Sequence, residues 1–151
     1  MNYKIEIKDI EPITVATMRF KGNATDAAKQ FPKVFKSIKG KANGAPLFCY
    51  NSIDENTSMC DLELCVPTAE VPNGNGVSVK ELPGGKVICL THIGSYDGLR
   101  VAYQEIHRRI QEKGLTIQPP WREIYVKGPG MILKGNPNKY ITEIQFQLKE
   151  G

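Results

Sequence analysis

Apolar and polar residues alternate in several short stretches of this chain, which is the pattern of a β-strand with one buried face. The first stretch, residues 3–10, reads YKIEIKDI, and a run rich in β-branched residues, 13–20, follows Pro12. Two further runs lie at 45–52 and 57–68. Short polar or proline-containing links separate these runs, so the first half predicts two strands before and two strands after the segment at 24–44, with 13–20 either a second strand or a kinked continuation of the first.

The segment between the two strand pairs has helical spacing instead. Its apolar positions recur every three or four residues, at Phe31, Val34, Phe35 and Ile38, and lysines occupy most of the opposite side. Pro32 removes a helical donor, so it must lie in an early turn of this helix or kink it. The segment therefore predicts an amphipathic helix.

The pattern of the first half recurs in the second half. VATMRFKG ends at Gly22, and the similar VICLTHIG ends at Gly94. The separation of these two glycines, which we call the repeat offset, also pairs Phe31 with Tyr103 in a second amphipathic helix. Strand-like runs at 121–127 and 140–148 complete the order strand, strand, helix, strand, strand for the second time.

Two copies of this unit predict an α+β fold, with an antiparallel sheet that carries both helices on one face and leaves the other face open. We expect one domain over residues 1–151, with repeat one at about 1–70 and repeat two at about 76–151. A length of 151 residues is that of one ordinary domain.

Composition excludes several classes of protein. Hydrophobic residues make up 40% and charged residues 24%, which is globular rather than disordered or fibrous. No apolar run approaches the roughly 20 residues of a membrane helix, and the N-terminus lacks a signal-peptide pattern, so we expect a cytoplasmic protein without membrane contact. The four cysteines form no CxxC pair, and only two histidines accompany them, so we expect no metal and no cofactor.

Charge gives little indication of nucleic-acid binding. The formal net charge is only +4. A basic edge follows the first helix at Lys29, Lys33, Lys36, Lys39 and Lys41. Without interleaved aromatic residues, such an edge is typical of a solvated helix face, so direct nucleic-acid binding is not expected.

The strand at 121–127 carries the most informative side chains. Its alternation places Trp121, Glu123 and Tyr125 on one face and Ile124 and Val126 on the other. We expect the two aliphatic residues to face the helices and the other three to face away. The same reasoning assigns Phe48, Tyr50 and Glu63 of repeat one to the face away from the helices.

Two interpretations of Trp121, Glu123 and Tyr125 are open at this point. Strands favour aromatic residues, so the three side chains are compatible with an ordinary solvated strand face. Alternatively they form a ligand platform, in which aromatic faces attract a cation and the carboxylate supplies the opposite charge. In an enzyme, Glu123 and Tyr125 are the candidate catalytic residues, with Glu123 as a general base.

The second half resembles a known family. The motifs that carry the resemblance are His92, Gly94 and Tyr96 before the second helix, Pro120, Glu123 and Tyr125 on the next strand, and Thr142, Glu143 and Ile144 on the last one. Together they resemble the GyrI-like small-molecule-binding domain, which also occurs as the effector-binding half of multidrug-responsive transcription activators.

The resemblance implies a cleft between two repeats that binds flat, hydrophobic, often cationic small molecules, with Glu123 among aromatic rings. It makes Trp121, Glu123, Tyr125, Tyr50, Phe48 and Glu63 the expected ligand-binding residues. It also implies alternatives to simple binding or detoxification: a hydrolase that opens cyclopropane-bearing alkylating toxins, or an interaction module with a protein partner such as gyrase. The chain contains no helix-turn-helix motif, which a regulator of transcription would use to read DNA.

Overall fold

The computed structural model describes residues 3–74, 76–129 and 135–149, and the fold is α+β as the sequence predicts. The strands are β1 Lys4–Ile10, β2 Ile13–Asn23, β3 Leu47–Asp54, β4 Met59–Pro67, β5 Ser78–Leu82, β6 Gly85–Ile93, β7 Ile117–Lys127 and β8 Ile141–Leu148. The α-helices are α1 Ala24–Ala28, α2 Phe31–Ser37 and α3 Leu99–Glu112, and two 3-10 helices cover Tyr96–Gly98 and Pro137–Lys139.

The chain forms two compact units, which are described separately. The terminal unit comprises Met1–Ile10 and Gly85–Gly151, and the central unit comprises Glu11–Gly84. In the terminal unit the strands pair antiparallel in the order β1, β6, β8, β7. In the central unit the order is β3, β4, β2, β5, again antiparallel. The two repeats therefore exchange their first strands. β1, from repeat one, pairs with β6 of repeat two, and β5, from repeat two, pairs with β2 of repeat one.

The strand registers agree with an internal repeat at the predicted offset. Lys8 lies opposite Val87 in the terminal unit, and Lys80 lies opposite Val15 in the central unit. Val15 and Val87 are separated by the repeat offset read from the sequence, and so are Lys8 and Lys80. The two units therefore share one hydrogen-bonding scheme, and any position in one unit has a defined counterpart in the other.

The helix predicted for the first half is two short helices. Asn23 caps α1 by accepting a hydrogen bond from the Thr25 N–H at 2.8 Å. The helix ends after five residues, and α2 restarts at Phe31 with Pro32 in its first turn. Proline is tolerated there because the first helical N–H groups have no intrahelical partner. The prediction that Pro32 lies in an early turn or at a kink is confirmed.

The core of the terminal unit forms between α3 and one face of the sheet. Ala102, Ile106 and Ile110 are the buried stripe of α3, at the spacing that brings them to one side of a helix. They pack with Ile88, Leu90, Ile144 and Phe146 of β6 and β8. We call this side of the sheet the helix face, and the side chains of β7 are described relative to it.

All four cysteines are buried free thiols and pack as small apolar residues do. Within the described ranges, no three His, Cys, Asp or Glu side chains converge as metal ligands. No helix among the described residues combines the length and apolar character that crossing a membrane requires.

Candidate functional site

Glu123 lies near the middle of β7 with its carboxylate held by two phenols. The Tyr103 O–H donates to Glu123 Oε2 at 2.5 Å, and the Tyr125 O–H donates to Oε1 at 2.7 Å. Glu123 is 7% exposed. Charge-assisted hydrogen bonds of this kind are about twice as strong as neutral ones, so the two phenols fix the position of the acid.

Aromatic rings continue on both sides of this acid. Trp121 stacks on Phe146 with ring centroids 6.1 Å apart and planes 20° from parallel. Tyr103 meets the same Phe146 edge-on at 6.2 Å. On the other side, Tyr96 contacts Tyr125 edge-on at 5.9 Å. We call Tyr96, Tyr103, Trp121, Glu123 and Tyr125 the Glu123 site.

Tyr96 is the exposed ring of the Glu123 site. It lies in the 3-10 helix before α3, is 38% exposed, and also contacts Tyr140 at 5.2 Å. Gly128 leaves space for it, because a Cβ at that position would come within 2.8 Å of the Tyr96 hydroxyl. Burial raises the pKa of Tyr96 to about 12, and the nearby Tyr140 and Glu123 add to the shift. The ring therefore stays neutral beside the carboxylate.

The predicted orientation of β7 is wrong. Glu123 lies opposite Ile144 and Trp121 opposite Phe146, and paired residues of an antiparallel ladder share a face, so these side chains point to the helix face. Tyr103 of α3, the helix that covers this face, donates its hydroxyl to Glu123. The aliphatic residues point the other way, where Val126 is 55% exposed. The aliphatic residues of β7 do not mark its inward side, because that side carries Trp121, Glu123 and Tyr125 instead.

The predicted shared face of Phe48, Tyr50 and Glu63 is also wrong. Phe31 of α2 stacks on Phe48 at 5.3 Å, and Phe48 meets Tyr50 edge-on at 5.8 Å, so these rings lie on the helix side of the central unit. Glu63 points to the opposite face, since its neighbours along β4 are the partners of Phe48 and Tyr50. There it accepts a hydrogen bond from Lys80 Nζ at 2.9 Å. Phe48 and Tyr50 stay predictions as ligand contacts.

The family model for the GyrI-like small molecule binding domain matches residues 3–149. The chain belongs to this family. The predicted family resemblance is thereby confirmed over nearly the whole chain.

Solved structures agree with the GyrI-like fold. The C-terminal domain of EcmrR is 23% identical over 100% of both chains, with a TM-score of 0.84. The chain spans only 58% of the EcmrR chain seen in complex with DNA. SAV2435, solved with tetraphenylphosphonium bound, is 20% identical with a TM-score of 0.64, covering 99% of this chain and 94% of that one. A hydrolase from Listeria innocua is 14% identical with a TM-score of 0.69, covering 97% and 92%. A search of curated proteins finds no significant match.

The registers of this GyrI-like chain define which residue of the central unit corresponds to Glu123. Leu64 and Ile144 are equivalent, because they lie opposite Met18 and Leu90, two residues separated by the repeat offset. Phe48 lies opposite Leu64, just as Glu123 lies opposite Ile144. Phe48 is therefore the counterpart of Glu123.

The two units differ in chemistry at the Glu123 position. By the same relation between registers Tyr125 corresponds to Tyr50, and by the repeat offset Tyr103 corresponds to Phe31. The terminal unit therefore has tyrosine, glutamate and tyrosine where the central unit has phenylalanine, phenylalanine and tyrosine. This set of positions carries an acid in the terminal unit and only rings in the central unit.

Two members of the Glu123 site, Tyr103 and Tyr96, do not follow from the strand pattern. Helical spacing places Tyr103 only on the apolar stripe of α3, yet its hydroxyl reaches across to β7. A tyrosine in an amphipathic stripe whose repeat counterpart is a phenylalanine is a usable signal, because the extra hydroxyl requires a partner when buried. Tyr96 stood in the family motif but was not linked to Glu123. The motif residue His92 lies against the turn that follows β6, where its Nε2 donates to the Ser95 carbonyl at 2.8 Å.

The raised pKa of Tyr96 gives a prediction for alkaline pH. Between its ordinary pKa near 10 and its folded pKa of about 12, the unfolded chain loses this proton first. The unfolded state then binds fewer protons, so the free energy of unfolding falls as pH rises. We expect Tyr96→Phe to lose less stability than the parent between about pH 9 and about pH 11.5, measured by urea unfolding. Equal losses in the two proteins would contradict the assigned environment of Tyr96.

Proposed function

We propose that this protein binds hydrophobic cations with flat aromatic groups at the Glu123 site, as a means of sequestering or detoxifying them. The observation that carries the proposal is a buried carboxylate surrounded by four aromatic residues and fixed by two phenol hydroxyls. Small-molecule sites are mostly apolar, with a few well-placed polar groups that set orientation and specificity.

Electrostatics favour a cation in this environment. Glu123 is almost fully buried, and a charge removed from water interacts more strongly with nearby charges than it would in water. A cation bound at close range would therefore be attracted by the carboxylate. The surrounding ring faces would add about 0.5 to 2 kcal/mol for each favourable cation–π contact.

The comparisons support the same class of ligand. SAV2435 shares the fold and holds tetraphenylphosphonium, a bulky cation with aromatic groups and no hydrogen-bond donor. A site whose acid already accepts two O–H bonds does not need a donor from the ligand. Tetraphenylphosphonium is therefore a suitable first probe for this chain.

The single tryptophan gives a direct test, because Trp121 belongs to the proposed site. We expect tetraphenylphosphonium to quench Trp121 fluorescence in a saturable titration with a Kd of about micromolar, equivalent to about −8 kcal/mol. Neutral tetraphenylmethane, solubilised equally, is the matched control and should quench far less. A flat titration across a panel of lipophilic cations would overturn the proposal.

Hydrolysis is a second candidate function, favoured by the hydrogen-bonded pair of Glu123 and Tyr125. Glu123 can take a proton from water while the water oxygen bonds to an electrophilic carbon and the strained carbon–carbon bond breaks. Tyr125 can give its proton to the carbon that leaves and regain a proton from Glu123, to which it is hydrogen-bonded. The net reaction is addition of one water across a strained carbon–carbon bond. The likeness to a hydrolase from Listeria innocua is consistent with this chemistry.

Mass spectrometry of the small molecule separates the two candidates. A cyclopropane-bearing alkylating compound incubated with the protein should gain the mass of one water if the protein is a hydrolase. Glu123→Gln should then abolish the product. Recovery of the unchanged compound in the bound fraction would instead support sequestration.

A further inference from the structure

Two motif residues, His92 and Thr142, lie in the strands next to the Glu123 site. Thr142 lies directly opposite Tyr125 on one side and opposite His92 on the other. Residues opposite each other in an antiparallel ladder share a face, with Cβ atoms about 4.5 to 5.5 Å apart. His92, Thr142 and Tyr125 thus form one row across β6, β8 and β7, and Tyr125 links the row to Glu123.

This row contains buried polar atoms that lack hydrogen bonds. Thr142 is fully buried and His92 is 4% exposed. Among the described residues, Thr142 Oγ1 and His92 Nδ1 find no hydrogen-bond partner, and neither does the hydroxyl of Tyr3, whose ring lies 6.2 Å from that of His92. Native proteins leave few buried polar groups unsatisfied, and an adjacent pair requires an explanation.

The two atoms without partners, His92 Nδ1 and Thr142 Oγ1, determine which group could bond to this row. His92 Nε2 bonds to the Ser95 carbonyl as the donor, and in the tautomer that carries the proton on Nε2, Nδ1 is an acceptor. The ring is held in place by close packing, because a Cβ on Gly98 would come within 2.7 Å of His92 Cε1. Thr142 Oγ1 can both donate and accept. The complementary group is a hydroxyl, which donates to His92 Nδ1 and accepts from Thr142.

We propose that His92 and Thr142 form a polar subsite that takes an uncharged hydroxyl group of the ligand bound at the Glu123 site. The inference rests on the proposed function and specifies it further: the preferred ligands are aromatic cations that also carry a hydroxyl group. Tyr125 contacts both parts of such a ligand, since it lies between Glu123 and Thr142.

A matched series of probes tests the subsite. The probes are tetraphenylphosphonium and its derivatives with one ortho, meta or para hydroxyl on a single ring, titrated by Trp121 fluorescence. We expect one hydroxylated isomer to bind about tenfold more tightly than the parent cation, the gain typical of a well-placed hydrogen bond. Thr142→Val keeps the shape of the side chain and should remove that gain, so that the variant binds the best hydroxylated isomer and the parent cation with equal affinity.

Thr91→Val is the control, because Thr91 is adjacent to His92 on β6 and points to the opposite face, where it lies opposite Glu143. It should retain the tenfold preference. If no isomer binds more tightly than the parent cation, or if the gain survives in Thr142→Val, the subsite is overturned while the proposed function stands. If the parent cation itself fails to bind, the proposed function is overturned and the subsite with it.

The unliganded protein provides a second readout that does not depend on any probe. A buried hydroxyl without a partner costs stability, so Thr142→Val should raise the melting temperature by about 2 to 4 °C. A structural water bound at His92 and Thr142 predicts the reverse, because the substitution would break its hydrogen bonds. A lower melting temperature would therefore overturn a subsite reserved for a ligand.

Discussion

Glu123→Gln is expected to weaken binding of tetraphenylphosphonium about a hundredfold while leaving the fold intact. A unit charge about 6 Å from a bound cation contributes about 3 kcal/mol at an effective dielectric constant of about 20. A loss of about 1.4 kcal/mol corresponds to a factor of ten in Kd. Glutamine keeps the size of the side chain and one carbonyl acceptor, so the measured loss reports mainly the charge. The measurement is the Trp121 fluorescence titration of both proteins.

The chain offers a matched control for this substitution. Glu63 is also a glutamate at the centre of a strand, but it points away from the helix side and pairs with Lys80. Glu63→Gln should bind the cation as the parent protein does. A loss of similar size in both variants would show that long-range charge, rather than the Glu123 site, controls affinity. An unchanged Kd in Glu123→Gln would show that the carboxylate of Glu123 does not contribute to cation binding.

The strands and the repeat could be predicted from the sequence because both depend on local alternation. The pattern in residues 57–68, for example, places Leu62 and Leu64 on one face, and both are fully buried. The offset between Gly22 and Gly94 reappears when the pairing of β1 with β6 is compared with the pairing of β5 with β2. These features need only the period of a strand and the spacing of a helix.

The orientation of β7 could not be predicted in the same way. Its register against β8 shifts between Gln118 and Trp121, so the phase of one strand does not determine the phase of the other. The acid at Glu123 is buried because a tyrosine from α3 donates to it, and that contact depends on how the helix packs on the sheet. A rule that places aliphatic residues inward and acids outward fails on β7, where the inward face carries the buried acid of the candidate site.

The orientation also determines how a ligand must approach. Glu123 accepts a hydrogen bond from Tyr103 and is almost fully buried, so the proposed cation would approach it past the partly exposed rings of Trp121, Tyr125 and Tyr96. A buried acid maintained by two hydrogen bonds is a stability cost that the central unit avoids, because Phe48 occupies the corresponding position there. Such a local departure from the optimum for stability is characteristic of functional sites.

The contrast between the two units predicts that replacing the polar pair with apolar residues stabilises the protein and abolishes binding. Tyr103→Phe alone should lower the free energy of unfolding by about 1 to 3 kcal/mol, because Glu123 loses a donor while it stays buried. The double variant Tyr103→Phe/Glu123→Leu removes the acid and its donor from α3, and reproduces the apolar character of Phe31 and Phe48. The hydroxyl of Tyr125 loses its acceptor, but Tyr125 is only half-buried and its hydroxyl can bond to water. The stability of the double variant should equal or exceed that of the parent protein, since removing a buried polar pair together is nearly neutral or stabilising.

Urea unfolding of the parent, both single variants and the double variant measures the coupling between Tyr103 and Glu123. We expect a favourable coupling energy of about 1 to 3 kcal/mol, with cation binding lost in the double variant. Additive single effects would show that the 2.5 Å contact has no energetic weight. A double variant that is less stable than Tyr103→Phe would indicate that the acid supports the fold, and the contrast between the two units would then reflect packing and not ligand binding.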